Sequence, residues 1–111
     1  MVKGFKGMGN MGNMGNIMAQ AQRMQKDMEA AQHEIQMMRI DGTAGGELVK
    51  ITIGGDHRIY GLEIAKEVID PDDAEGLADL ITAAYNSAND KLEAASAERM
   101  SKATGGMKLP F

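Results

Sequence analysis

Apolar residues recur at alternating spacings of four and three along the first third of the chain. An average spacing of 3.5 residues places them on one narrow stripe of an α-helix, while glutamine and charged residues fill most positions between them. The stripe consists of Ile17, Ala21, Met24, Met28, Ala31, Ile35 and Met38. The spacing predicts a helix from Ile17 to about Arg39, and so narrow a stripe needs another helix or a sheet to cover it.

A second stripe with helical spacing lies in the last third of the chain. It consists of Leu77, Ile81, Ala84, Ala88, Leu92 and Ala95. We expect this helix to start near Asp70-Pro71, because proline suits the first helical turn. Gly105-Gly106 is expected to end it.

Between the two helices the pattern changes to alternation with a period of two, which is typical of strands. Leu48–Ile53 and His57–Ile64 are the two predicted strands, and Gly54-Gly55-Asp56 between them is typical of a hairpin turn. The residues that share a face are Val49, Ile51 and Ile53 on the first strand, and Tyr60, Leu62 and Ile64 on the second. The pattern therefore predicts an α+β fold with a small antiparallel sheet and two long helices.

The segment between the first helix and the hairpin is rich in glycine. Asp41-Gly42 is expected to stop the helix. Ala44-Gly45-Gly46 is expected to form a bulge or bend that extends the first strand backwards.

The chain divides into three parts by composition. Residues 1–16 contain Met-Gly-Asn three times in a row and are expected to be disordered and dispensable for the fold, because so much glycine buries little apolar surface. Residues 17–104 are predicted to form a single α+β domain, with Asn16 as the N-cap of its first helix. Residues 105–111 are a short apolar tail.

The leader also contains a match to the dinucleotide-binding pattern G-x-G-x-x-G, at Gly7, Gly9 and Gly12. That pattern requires a preceding strand and a surrounding βαβ unit. Only six residues precede Gly7. The match therefore carries no nucleotide site, and we expect no cofactor.

Composition favours a small protein that assembles. The 111 residues include 11 methionines, no cysteine and only four aromatic residues, so the core of one protomer is small. The net charge is −4, and residues 63–79 alone carry seven acids against Lys66. No apolar run approaches the ~20 residues of a membrane span. A homodimer in the reducing cytoplasm fits these features.

No catalytic or metal-binding pattern stands out. His33 and His57 are interpreted as surface histidines, without the partners of a catalytic triad or a zinc site. The acidic cluster Asp70, Asp72, Asp73 and Glu75 does not match a calcium loop, which needs glycine at its sixth position. These acids are expected to favour the start of the second helix through its dipole. The chain is therefore predicted not to be an enzyme.

The remaining candidates for chemistry are basic residues on the two helices. They are Arg23, Lys26 and Arg39 on the first helix and at its end, and Lys91, Arg99 and Lys102 on the second. By residue type alone these are ordinary solvated charges. Lys91 and Lys102 are expected to share a helix face. No aromatic residue lies among them in the sequence, so stacking on single-stranded bases is not expected.

The chain resembles the YbaB/EbfC family of small bacterial nucleoid-associated proteins over nearly all of its length. The stretches that carry the resemblance are the Met/Gly/Asn leader, IMAQAQRMQKDMEAAQHEI, GTAGGELVKITIGGDHRIYGLEI, LADLITAAYNSANDKLEAASAERM and GGMKLPF. The chain departs from the family at Ile64-Ala65-Lys66, where the family commonly has Ile-Asp-Pro. We therefore expect a longer connection after the last strand.

The resemblance implies an α-β-β-β-α protomer and a tweezer-like homodimer joined through the strand region. It also implies double-stranded DNA as the partner, bound with low sequence specificity in the nucleoid, with effects on DNA conformation and gene expression. No membrane and no small-molecule substrate are expected. The six basic residues above are then the candidate phosphate contacts. The alternative is an interaction module or chaperone-like partner protein that uses its apolar leader and tail on another protein.

Overall fold

The computed structural model describes the backbone of residues 2–105 and the side chains of residues 14–105. Two long helices flank three consecutive strands and a short 3-10 turn. In chain order the elements are α1 (Val2–Met37), β1 (Arg39–Ala44), β2 (Val49–Gly54), β3 (Ile59–Ile64), the 3-10 turn Lys66–Val68, and α2 (Ala74–Ala103). The α-β-β-β-α order implied by the family resemblance is confirmed.

Helix α1 starts earlier than the sequence pattern predicts. Its helical backbone begins at Val2 and passes through Asn16, so the predicted N-cap at Asn16 is wrong. Glycine in a helix costs about 1 kcal/mol relative to alanine but does not break hydrogen bonding as proline does. The disorder of residues 1–16 in the free protein stays a prediction, and the side chains of residues 1–13 lie outside the described part.

Strand β1 was not predicted from the residue pattern. Asp41-Gly42 lies inside this strand rather than ending a helix, and α1 stops at Met37. Ile40 pairs with Ile53 and Gly42 with Ile51 of β2. The alternation of β1 is hidden because one of its inward positions is a glycine with no side chain.

The sheet is antiparallel with β2 in the centre, in the order β1-β2-β3. The predicted inward face of β2 is confirmed, since Val49, Ile51 and Ile53 are fully buried. Helix α2 packs on β1 and β2. Its core residues are Ala84, Ala88 and Leu92, which are also buried. Two alanines in this position let the helix approach the sheet closely.

Gly42 marks the closest contact between α2 and the sheet. A Cβ atom at this position would overlap the carbonyl oxygen of Ala84 and the backbone nitrogen of Ala88. Glycine is therefore required by the approach of α2, whose backbone occupies the space that any other side chain would need.

Helix α1 lies against α2 along part of its length. Ala31 is fully buried there. The end of α1 also reaches the β2–β3 turn, where a Cβ atom on Gly55 would overlap the carbonyl of Ile35. Because α1 leads into the sheet and α2 leads away from it, the two helices run antiparallel and project from the sheet together.

Helix α2 begins three residues after the predicted Pro71. Its N-cap is Asp73, whose carboxylate accepts a hydrogen bond of 3.1 Å from the Gly76 N–H. Asp70-Pro71 forms a turn instead, in which the Asp70 side chain accepts from the Asp72 N–H at 2.9 Å. The residue before a proline avoids helical backbone angles, which delays the helix. The end of α2 at Ala103 agrees with the prediction.

Candidate nucleic-acid interface

Arg99 joins the two helices. Its Nη2 donates to Oε1 of Glu34 at 3.1 Å, and its Nε donates to the other oxygen of the same carboxylate. The Arg99 side chain is only 25 % exposed. The hydrogen bonds from Arg99 hold the pKa of Glu34 below its ordinary value and raise the pKa of Arg99. This guanidinium serves mainly as a clamp between α1 and α2.

The clamp predicts a loss of stability in acid. A carboxyl with a lowered pKa stabilises the fold above its unfolded-state pKa, and this contribution disappears as the pH falls through the folded-state pKa. The free energy of unfolding should therefore differ between the wild type and Glu34→Gln at pH 6, and the difference should shrink between roughly pH 5 and pH 3. Urea titrations across this range measure it.

Glu29→Gln is the matched control, since Glu29 is an exposed glutamate on the same helix. The Glu34→Gln difference should change with pH more than the Glu29→Gln difference does, because only Glu34 has the hydrogen bonds from Arg99. A Glu34→Gln difference that is independent of pH would contradict the clamp.

Arg39 lies on the sheet and not at a helix end. Its guanidinium carbon is 3.8 Å from the centre of the Tyr60 ring, and its Nη1 donates to the Met38 carbonyl at 2.9 Å. The expectation that no aromatic accompanies the basic residues is therefore wrong, because the Arg39 side chain on β1 reaches across Gly54 of the central strand to Tyr60 on β3. Arg39 itself covers a face of that ring, so the pair is a structural contact.

Tyr60 is further fixed by Asp56. The Tyr60 hydroxyl donates to Asp56 at 2.6 Å, which lowers the pKa of Asp56 and raises that of Tyr60. Arg39 therefore belongs to a small polar network at the β2–β3 turn.

Lys91 links α2 to β1. Its Nζ donates to the Asp41 carbonyl at 3.2 Å. The Asp41 carboxylate accepts from the Thr52 hydroxyl at 2.6 Å and pairs with Lys50 at 3.6 Å. These contacts hold the pKa of Asp41 below its ordinary value, with the Thr52 hydrogen bond as the main cause. Like Arg39 and Arg99, Lys91 has a partner within the fold.

Arg23 and Lys102 lie on either side of one cleft, at the end of the helix pair that is farthest from the sheet. Both line a shallow cleft of about 290 Å³, together with Gln20 and Asp27. Lys102 has only a loose ion pair with Glu98, 3.9 Å long, and its side chain is 71 % exposed. Lys26 and Arg23 line a neighbouring surface depression on α1. The structure thus brings together three of the six candidates: Arg23, Lys26 and Lys102.

Two glutamines belong to the same surface. Gln22 lies with Arg23 and Lys26 in the depression on α1, and Gln25 lies beside Lys26. Side-chain amides donate hydrogen bonds to phosphate oxygens. In the sequence these glutamines were only part of the polar side of a helix, and the signal that could have identified them is that each directly precedes a base, Arg23 or Lys26.

The acidic segment lies far from this basic surface. Glu75 is in the first turn of α2, and Lys102 is in its last turn. About 40 Å of helix separates them, several times the screening length of roughly 8 Å at physiological salt. The acidic segment therefore contributes little to the field at this end, where Asp27 and Glu98 are the acids beside the bases.

Among residues 14–105 no group of acids and histidines is arranged to hold a metal ion. In the same part of the chain, neither α1 nor α2 has the length and apolar content needed to cross a bilayer.

The class of protein to which this α-β-β-β-α protomer belongs follows from comparison with known families. The model of the YbaB/EbfC DNA-binding family matches residues 11–107, and the chain belongs to this family. The resemblance noted in the sequence is confirmed.

Curated relatives support the assignment over almost the full length of the chain. A nucleoid-associated protein of Alkaliphilus metalliredigens is 44 % identical over 108 residues, covering 97 % of this chain and 95 % of the relative. One from Gluconobacter oxydans is 46 % identical over 94 residues, covering 85 % and 88 % respectively. One from Clostridium kluyveri is 42 % identical over 107 residues, covering 96 % and 94 %.

Proposed function

We propose that this protein binds double-stranded DNA as a homodimer, through phosphate contacts from Arg23, Lys26 and Lys102. The observation that carries the proposal is their position: they share the free end of the helix pair, about 40 Å of helix away from Glu75 at the start of α2. The other three candidates, Arg39, Lys91 and Arg99, have partners within the fold and are assigned structural roles.

The proposed contacts are to the backbone of the duplex and carry little sequence information. Long basic side chains on a helix surface reach phosphate oxygens without a specific pocket, whereas sequence is read from base edges. Such binding can occur at many places along a chromosome, which suits a nucleoid protein in the cytoplasm. Occupancy of many sites would change the path of the DNA and thereby affect gene expression.

Strand β3 supports the homodimer. It is an edge strand, and α2 packs on β1 and β2 rather than over it. Ile59 and Leu62 are 53 % and 47 % exposed on this strand. An edge strand with free backbone groups and apolar side chains is suited to pairing with another copy. Two protomers joined there would carry two helix pairs, as tweezer-like arms.

The phosphate surface is tested by a charge-matched pair of variants. Arg23→Gln combined with Lys102→Gln should weaken binding evenly on unrelated duplexes. It should also reduce the slope of log affinity against log salt by about one for each phosphate that the variant no longer neutralises, counted over both protomers. Fluorescence anisotropy at several salt concentrations measures both quantities.

Arg58→Gln combined with Lys66→Gln removes the same charge from exposed positions near the sheet. This control should bind like the wild type. If it loses as much affinity as the first variant, only net charge matters and the surface is wrongly placed. If the first variant keeps its affinity and slope, the assignment of Arg23 and Lys102 fails.

A further inference from the structure

The apolar stripe of α1 is only partly covered. Ala31 is fully buried against the rest of the fold, and Met24 and Met28 are half-buried. Towards the start of the helix the same stripe emerges into solvent, where Met14 and Ile17 are 59 % and 63 % exposed. The uncovered part continues the same stripe that α2 covers around Ala31, nearer the sheet.

The apolar stripe of α1 becomes exposed at the point where α2 ends. Gly105, which directly follows the C-cap of α2, lines the same cleft as Gln20 and Met24 of α1. Because the helices are antiparallel, α2 ends beside the uncovered part of the stripe. The next residues of the chain are therefore the nearest available cover.

Those residues have a suitable pattern. Residues 106–111 lie outside the described part, and in the sequence Met107, Leu109 and Phe111 alternate with Lys108 and Pro110. The proline forces Leu109 towards an extended backbone, and an extended segment places alternate side chains on one side.

The length of this segment also fits. Six extended residues span about 20 Å, and the helix from Met24 to Met14 measures about 15 Å.

We propose that residues 106–111 bind in extended form along the uncovered stripe of their own chain. The stripe consists of Met14, Ile17, Met18 and Ala21. Leu109 lies against Ile17, and Phe111 lies against Met14. A tethered segment has an effective concentration near the millimolar range, which favours it over a second copy at lower concentration. This docking is independent of DNA binding, although it brings Lys108 close to Arg23.

Engineered cysteine pairs test the proposal, because the sequence contains no cysteine. The full-length variant Ile17→Cys with Leu109→Cys should form a disulfide within one chain under mild oxidation. The control is Ala19→Cys with Leu109→Cys, since Ala19 is also exposed but lies on the opposite side of α1. The first pair should close at least about fivefold faster, because docking raises its effective concentration above that of a free tether.

Non-reducing gels and thiol counting give the readout. Equal closure rates for the two pairs would show a tail that does not dock and would overturn the proposal. Disulfide-linked dimers would also overturn it, since a second copy would then cover the stripe. Circular dichroism confirms folding of both variants, and Met14→Cys with Phe111→Cys provides a second pair if the first does not fold.

Discussion

Replacing Gly42 with alanine is expected to cost about 3 kcal/mol or more of stability, because overpacking against a backbone cannot be relieved by a rotamer change. The new Cβ atom would overlap backbone atoms of Ala84 and Ala88. Relief requires α2 to move away from β1 and β2, which opens the core around Ile51. Urea denaturation measures the free energy of unfolding directly.

Gly61→Ala is the matched control for this substitution. Gly61 is also a strand glycine, in β3, and a Cβ atom there would meet only the Thr52 side chain at ordinary contact distances of 3.6 and 3.7 Å. Its stability should remain within about 1 kcal/mol of wild type. Equal effects at both positions would mean that backbone freedom, and not the approach of α2, explains the glycine at position 42.

Charges on the exposed apolar residues of β3 are expected to split the homodimer. Ile59→Asp with Leu62→Asp would bury two unpaired carboxylates at the proposed interface, which costs several kcal/mol in an apolar environment. Light scattering should show a mass about twice 11.9 kDa for the wild type and about 11.9 kDa for the variant. The variant should also bind DNA more weakly, because one pair of arms lacks the avidity of two.

The control carries the same two charges on the helix. Ile17→Asp with Met18→Asp changes two exposed apolar residues of α1, which are distant from β3. Its mass should remain that of a dimer. A wild-type protein that is monomeric at micromolar concentration would contradict the dimer, and a dimeric β3 variant would place the interface elsewhere.

Residue periodicity was sufficient for the helices and for the central strand. The inward face of β2 at Val49, Ile51 and Ile53 follows from simple alternation, and the structure buries all three. Strand β1 could not be predicted in this way, because Gly42 interrupts its alternation where α2 approaches. Strand β3 followed from alternation as well, whereas the presence of an additional strand came only from the family resemblance, which reflects the whole fold.

The start of each helix was predicted less well. At α2, proline at position 71 indicated a helix start, but the Asp70 turn delays the helix until Asp73 provides the N-cap. At α1, Asn16 has the chemistry of a cap but lies within a continuous helix. Side-chain preferences alone do not determine which of several suitable residues becomes the N-cap of a helix, because packing of the remaining chain also contributes.

The candidate site shows the limit of residue type as evidence. Six bases were equivalent in the sequence, and the structure separates them by their partners. Arg99 is held by Glu34, 65 residues away in sequence, and Lys91 by the Asp41 carbonyl, 50 residues away. Such distant pairings are set by the tertiary fold, so one sequence without a structure cannot reveal which cations remain available.

The proposed binding to duplex DNA uses phosphate contacts and has little sequence preference. It is tested most directly by titrating the unaltered protein onto two duplexes of unrelated sequence from about 50 mM to 200 mM salt. Both duplexes should bind with similar affinity, and log affinity should fall linearly with log salt, more steeply the more phosphates are contacted. No binding at about 50 mM salt, where these contacts are strongest, would contradict the claim. A strong preference for one duplex at all salt concentrations would contradict the proposed phosphate readout.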